Sequence, residues 1–329
     1  MHASSAEFKL IQTFFQRAAQ QQKNDSAVRL GIGDDCAIFT PALNTELAIS
    51  VDTSIANIHF PDNASAGQIA ARALNVALSD LAAMGAKPVA FTLALSLPKH
   101  FNTYQENTRE AFLNSFSQGL FRTAKQASVS LIGGDTTQGD MPLSVSVTVY
   151  GELPKGKGLE RGGAKLGDTI YLSRSTGEAG AGLALWLAGE RSPTALIEAY
   201  INPQPELALG QELLTVAHSC IDVSDGLLSD LQHILSASLV HAVIDCDKLL
   251  NSSALEIHCG KVKALKYALT AGDDYCLCLT AKLTRQQSES LGLIAIGEIT
   301  EANDSHPMVR LINKPEQLLL KGNGYDHFE

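Results

Sequence analysis

Two stretches of strict alternation constrain most tightly what the first half of this chain can become. Val89, Phe91, Leu93, Leu95 and Leu97 alternate with small or polar residues, and Leu143, Val145, Val147 and Val149 do the same. A period of two puts one face of a sheet in a core and the other toward solvent. Helical spacings lie between and before these strands. Ser65-Ala66-Gly67-Gln68 reads as a capping box that opens a helix running to Gly85. Thr103 with Glu106 reads as a second box, followed by Leu113, Phe116, Leu120 and Ala124 at helical intervals. A short strand over 129–132 is expected to end in Gly133-Gly134-Asp135. The first half is therefore predicted as α+β around a largely amphipathic sheet.

At 329 residues the chain is long enough for about two domains. The stretch 152–167, rich in Gly, Lys and Pro, is the expected boundary, giving domains 1–151 and 152–329. Beyond it the pattern predicts strands at 169–172, near Ile221, at 242–244 and at 275–279. It predicts helices through Trp186, from Pro205 and after Gly226. A glycine-rich turn (Gly177, Gly180, Gly182) precedes the first of these helices. Leu-Ser-Asp-Leu occurs at 78–81 and 228–231, and Gly-Asp-Asp at 33–35 and 272–274. These echoes are too short to establish a repeat.

Composition narrows the partners. A formal net charge of −10 repels phosphate backbones, so no nucleic-acid partner is expected, and anionic small molecules need local cations or metal ions. The six cysteines form no C-x-x-C pair and no zinc spacing, as expected of reduced thiols in a cytoplasmic protein. Cys276 and Cys278 alternate in an apolar run and are expected on one strand face. Residues 1–20 carry Glu7, Lys9 and Arg17 and no signal-peptide core, and no apolar run approaches the ~18 residues of a membrane span. The expectation is a soluble cytoplasmic protein without a membrane partner.

No phosphate-loop motif is present, because Asp168 stands where 162–169 would need its lysine. Instead, carboxylates sit at element ends beside glycines: Asp34 and Asp35, Asp52, Asp135, Asp222 and Asp225, Asp273 and Asp274. Each alone reads as a turn or cap; together they suggest a metal site. Asp80 is sharper, because it shares a helix face with Ala73, Val76, Ala77 and Met84. A charge on an apolar stripe is costly unless paired or metal-bound. Hard oxygen ligands without Cys or paired His point to several Mg2+ ions around phosphate groups.

Four blocks, 31–37 (GIGDDCA), 75–85 (NVALSDLAAMG), 131–136 (LIGGDT) and 222–227 (DVSDGL), with the terminal Gly324-Tyr325-Asp326-His327-Phe328, resemble the thiamine-monophosphate kinase family. They run in that family's order across nearly the whole chain. The resemblance implies the two-domain aminoimidazole ribonucleotide synthetase-like fold, with an N-terminal α+β sheet domain at a homodimer interface and a C-terminal α/β domain completing each site. It implies transfer of the ATP γ-phosphoryl group to thiamine monophosphate with Mg2+. By the same resemblance, Asp35, Ser50, Asp52, Asp80, Asp135, Asp222 and Asp225 are expected metal ligands. Gly134, Asp135, Arg161 and Ser224 are expected nucleotide contacts, and His59, Asp273 and Tyr325 thiamine-phosphate contacts. No general base is expected, since the acceptor phosphate is already anionic.

Two positions depart from the family pattern. Val51 stands where threonine is common, which removes a side-chain ligand, and Asp273 where glutamate is frequent, which shortens the reach. The alternatives are a related synthetase with another acceptor and a non-catalytic nucleotide-binding module. Selenophosphate synthesis is disfavoured because no Cys precedes Cys36.

Overall fold

Alternation along β4 (Lys87–Pro98) builds the first sheet. The computed structural model describes residues 6–21, 27–101, 104–249, 252–302, 308–320, 322 and 324–325. Its contacts divide the chain into two units: Met1–Leu81 with Ala86–Gly156, and Ala82–Gly85 with Lys157–Glu329.

In unit 1, α1 (Ala6–Ile11) and α2 (Arg17–Gln21) flank a π-helical turn at Gln12–Gln16. A small ribbon of β1 (Val28–Leu30) and β2 (Ile38–Phe39) follows. The main sheet has the order β3-β6-β4-β5, with β3 at Thr45–Ile55, β5 at Ser130–Gly139 and β6 at Ser144–Pro154. Strands β4 and β5 are parallel, so α4 (Arg109–Gln126) makes the crossover that such a pair needs. The inward set of β4 is buried throughout, as are Leu74, Leu78 and Leu81 of α3 (Ala66–Ala83) and Phe112, Phe116 and Leu120 of α4. Each such side chain contributes roughly 1.5–3 kcal/mol by leaving water, which holds the helices to this side of the sheet.

The other side stays open along β3, where Leu47, Ile49 and Val51 are 41%, 60% and 64% exposed.

The Ser65 box forms: Gln68 accepts the Ser65 amide at 3.0 Å and Ser65 Oγ accepts the Gln68 amide at 3.3 Å. The second expected box does not open α4. Thr103 lies outside the described residues, Thr108 caps the helix, and the Glu106 carboxylate accepts the Ala66 amide at the start of α3. Strand β5 also runs through Gly133-Gly134-Asp135 instead of stopping there. The glycines signal close strand approach, since a Cβ at Gly134 would overlap the Leu93 carbonyl oxygen.

Unit 2 is a six-stranded sheet ordered β12-β9-β11-β7-β10-β8. Its strands are β7 (Thr169–Leu172), β8 (Ser219–Asp222), β9 (His241–Asp245), β10 (Leu277–Ala281), β11 (Ile294–Thr300) and β12 (Val309–Ile312). Among its described strands only the β9–β12 pairing is parallel. Helices α5 (Glu178–Leu187), α6 (Thr194–Ile201), α7 (Leu207–Leu213), α8 (Leu227–Ser238), α9 (Cys246–Leu249), α10 (Ser253–Cys259), α11 (Lys261–Thr270) and α12 (Arg285–Ser290) connect the strands. Cys276 and Cys278 join one buried cluster, while Leu277 and Leu279 join another. Strand β10 is therefore buried on both faces, and its alternation is between two cores. No helix among the described residues is long and apolar enough to cross a membrane.

Candidate active site

On unit 1, Ser50 and Asp52 lie two residues apart on β3 and so share a face. The Ser50 hydroxyl donates to Asp80 Oδ2, one helix turn before the end of α3. All three residues are half-buried, within reach of solvent but shielded from its full dielectric. Asp80 makes no ion pair with another described residue. Asp35 is exposed in the turn between β1 and β2, where Asp34 Oδ1 accepts its amide at 2.9 Å. His59 occupies the turn after β3, and its Nδ1 accepts the Ile55 amide at 3.1 Å. That bond assigns the ring proton of neutral His59 to Nε2.

Asp135 is placed elsewhere. Register puts Asp52, Val147, Leu93 and Gly134 in one row across the sheet, and Thr53, Ser146, Ala94 and Asp135 in the next. Neighbouring rows face opposite sides, and β3 and β5 are three strand spacings apart, about 14 Å. Asp135 thus shares the open face with Ile49 and Val51, away from Asp52 and Asp80. Val51 points to that open face too, so it takes no part in the Ser50–Asp80 cluster.

On unit 2, backbone hydrogen bonds gather three segments. Strand β8 ends at Asp222, and the turn that follows carries Ser224 and Asp225 into α8. The Asp273 amide donates to the Ser224 carbonyl at 2.8 Å, the Tyr275 amide to the Val223 carbonyl at 2.7 Å, and the Tyr325 amide to the Asp225 carbonyl at 2.9 Å. Gly272 permits this approach, because a Cβ there would overlap the Ser224 carbonyl oxygen. Asp273 and Tyr275 both adopt positive φ, +68° and +49°, and the Tyr275 hydroxyl donates to Asp273 Oδ1 at 3.2 Å. The shorter Asp273 is therefore held by its neighbour. The Tyr325 side chain is 54% exposed. Residues 326–328 of the terminal block lie outside the described residues.

Arg161 is exposed beside the edge strand β8, where the preceding Glu160 carbonyl accepts the Cys220 amide at 2.9 Å. Its own carbonyl accepts from Ser238 Oγ at 3.4 Å, and its guanidinium makes no ion pair with another described residue.

Two buried acids carry no expected ligand or substrate role, Asp274 standing only among the glycine-flanked carboxylates. Asp230 Oδ2 accepts the amides of Ser224, Asp225 and Gly226 at 2.9, 3.0 and 3.1 Å. Asp274 accepts the amides of Gly177 and Ala179 at 2.6 and 3.4 Å, at the start of α5. A usable signal existed for Asp230: it stands three and four residues from the buried Leu227 and Ile234 of α8, the same kind of stripe that marks Asp80. Asp274 is the second acid of Gly-Asp-Asp, immediately before the buried run that becomes β10.

Burial raises both carboxyls to about 7, with the Asp222 and Asp225 charges adding to the shift at Asp230. Burial likewise pushes the Cys276 and Cys278 thiols up, Cys278 to about 12, so neither is a thiolate nucleophile at neutral pH.

An acid that ionises near 7 when folded and near 4 when unfolded holds its proton longer in the folded state. Between about pH 4 and pH 7 such a group makes stability fall as pH rises, and above pH 7 the loss is complete. Replacing Asp274 by Asn keeps an oxygen acceptor and removes the titration. The melting temperature of that variant is expected to gain on wild type as pH rises from about 4 to 7. Parallel curves for the two proteins would show that Asp274 does not titrate in this way.

The donors fit Mg2+ chemistry: carboxylates and a hydroxyl, all hard oxygens. Among the described residues no three His, Cys, Asp or Glu side chains converge to hold a metal unaided. A Mg2+ that takes one or two carboxylates and completes its shell with water and substrate phosphate needs no such cage.

Comparison with known proteins bears on this geometry. The family described as AIR synthase related protein, N-terminal domain, matches residues 33–153. The thiamine-monophosphate kinase of Haemophilus influenzae is 39% identical over 335 residues, covering 98% of each chain. The crystal structure of thiamine-monophosphate kinase from Stenotrophomonas maltophilia superposes with a TM-score of 0.81 at 39% identity, covering 95% of this chain and 99% of that one. A structure of AaThiL complexed with AMPPCP and TMP superposes with a TM-score of 0.76 at 25% identity, covering 88% of this chain and 89% of that one.

Proposed function

This chain belongs to the thiamine-monophosphate kinase family and phosphorylates thiamine monophosphate with ATP, and we propose that it does so by direct, metal-assisted phosphoryl transfer. The observation that carries the chemistry is the hydroxyl–carboxylate pair of Ser50 and Asp80, with Asp52 on the same strand face.

The attacking group is a phosphate oxygen, anionic at pH 7, so no residue has to remove a proton. The barrier is the meeting of two polyanions and the charge on the transferring group. Mg2+ bound by the acids supplies charge neutralisation and alignment of the two phosphates. On unit 1, Asp35, Ser50, Asp52 and Asp80 hold metal through oxygen donors, and His59 Nε2–H donates to the substrate phosphate. Gly134 meets the nucleotide, and Asp135, on the opposite face of the sheet from Asp52 and Asp80, would meet a metal or nucleotide only from that face. On unit 2, Asp222 and Asp225 hold metal and Ser224 contacts nucleotide. Arg161 offers a forked donor to a nucleotide phosphate. The exposed Tyr325 ring stacks on thiamine, and Asp273, oriented by Tyr275, faces its cationic or amino groups. ADP release that depends on thiamine monophosphate supports this reading. Release dependent only on a different acceptor, or none at all, contradicts it.

The chain is further proposed to act as a homodimer, in the cytoplasm where ATP is the donor. The open face of β3 displays Leu47, Ile49 and Val51 in a contiguous apolar row, which a second copy would cover about a two-fold axis. Light scattering is expected to report about twice the 35.0 kDa chain mass. Replacing Ile49 by Asp is expected to shift the protein toward monomer, whereas an unchanged mass would place the interface elsewhere.

A further inference from the structure

The turn at 222–226 has the backbone of a phosphate cradle. Three successive amides, of Ser224, Asp225 and Gly226, converge on one point between a strand end and the start of α8. Convergent amides at such a junction ordinarily bind an anion, as the phosphate-binding loops do. Here the point is filled from within. Asp230 reaches back from the first turn of α8, only 3% exposed, and a single oxygen takes all three amides.

We propose that Asp230 is a positioning residue, an internal oxygen acceptor that occupies the amide cradle and fixes the Ser224–Asp225 turn for nucleotide and metal. The inference rests on the reading of Ser224 and Asp225 as nucleotide and metal contacts. The same three amides cannot then also cradle a nucleotide phosphate. The groups this turn offers a nucleotide are its side chains, Ser224 and Asp225, both half-buried. Phosphate contact at this turn becomes dependent on cations, which accounts for a nucleotide enzyme with no phosphate-loop sequence and an excess of acids. The Leu-Ser-Asp-Leu echo gains a physical meaning as well. At 78–81 its acid receives a hydroxyl and keeps capacity for a metal, whereas at 228–231 its acid is consumed by the backbone.

Two variants separate positioning from charge. Asp230→Asn keeps an oxygen at the same place and can still accept the three amides, whereas Asp230→Ala leaves them without an acceptor. Hydrogen–deuterium exchange on metal-free, substrate-free protein reads the cradle directly. Amides 224–226 are expected to stay as protected in Asp230→Asn as in wild type, and to exchange at least ~10-fold faster in Asp230→Ala, one unit of log rate being about 1.4 kcal/mol of opening free energy. The Mg2+ concentration for half-maximal activity and the KM for ATP should remain within about threefold of wild type in Asp230→Asn. Both should rise at least ~10-fold in Asp230→Ala, with the KM for thiamine monophosphate little changed.

If Asp230→Asn loses activity as Asp230→Ala does, its charge and not its position matters, and the assignment is overturned. Wild-type protection of 224–226 in Asp230→Ala also overturns it. Should Asp230→Ala not fold, the Asp230→Asn protection and Mg2+ requirement decide alone. The exchange result is independent of substrate, so a wrong substrate assignment would leave it standing while the kinetic pattern failed.

Discussion

Replacing Asp80 by Asn is expected to lower turnover at least ~100-fold while leaving the metal-free protein as stable as wild type, or more so. The two halves of this expectation have one cause. Asp80 is half-buried on a helix with apolar neighbours, and its partner is the Ser50 hydroxyl, not a cation. Asn keeps an oxygen to accept that hydroxyl, so the fold loses little and sheds a partly desolvated charge. The proposed metal site loses a ligand charge. Charge stabilisation by a bound cation is worth several kcal/mol, and each 1.36 kcal/mol is tenfold in rate. Mg-ATP should accordingly raise the melting temperature of the variant less than that of wild type. Kinetics, with thermal melts taken in chelator and in Mg-ATP, measure all three. Near-normal turnover with a lowered melting temperature would make Asp80 a structural residue.

Much of this architecture is legible in the chain because one face of each element is apolar. The alternation at 89–97 becomes β4, the Ser65 box opens α3, and the expected strand at 169–172 coincides with β7. What escapes the sequence reading depends on partners far along the chain. Gly133-Gly134-Asp135 resembles a strand end, yet the glycines are there because β5 runs against the Leu93 backbone. Glu106 resembles a local cap, yet its carboxylate serves a helix that begins forty residues earlier.

The candidate site divides in the same way. Acids beside glycines can be picked out by composition, but which acids share a face is a matter of register. Asp52 and Asp135 look equivalent as glycine-flanked or strand-end carboxylates and lie on opposite faces of one sheet. Asp230 and Asp274 show in the sequence only as acids on an apolar stripe or beside a glycine, and not as scaffold, because the backbone amides they accept carry no sequence signature.

Removing divalent cation is expected to have the largest effect of all, abolishing transfer. No general base is expected, because the acceptor phosphate is already anionic, and the chain carries net charge −10, so without cations the site would repel the phosphate groups of both substrates. Asp52 and Asp80, carboxylates proposed to hold metal on unit 1, would then add negative charge where charge has to be neutralised. The most direct measurement is mass spectrometry of the products from ATP and thiamine monophosphate, with Mg2+ present, with excess EDTA, and with Mg2+ restored. The expected result is thiamine diphosphate and ADP in equal amounts with Mg2+, neither above background in EDTA, and recovery when Mg2+ returns. Thiamine diphosphate formed at an undiminished rate in EDTA would contradict metal-assisted transfer.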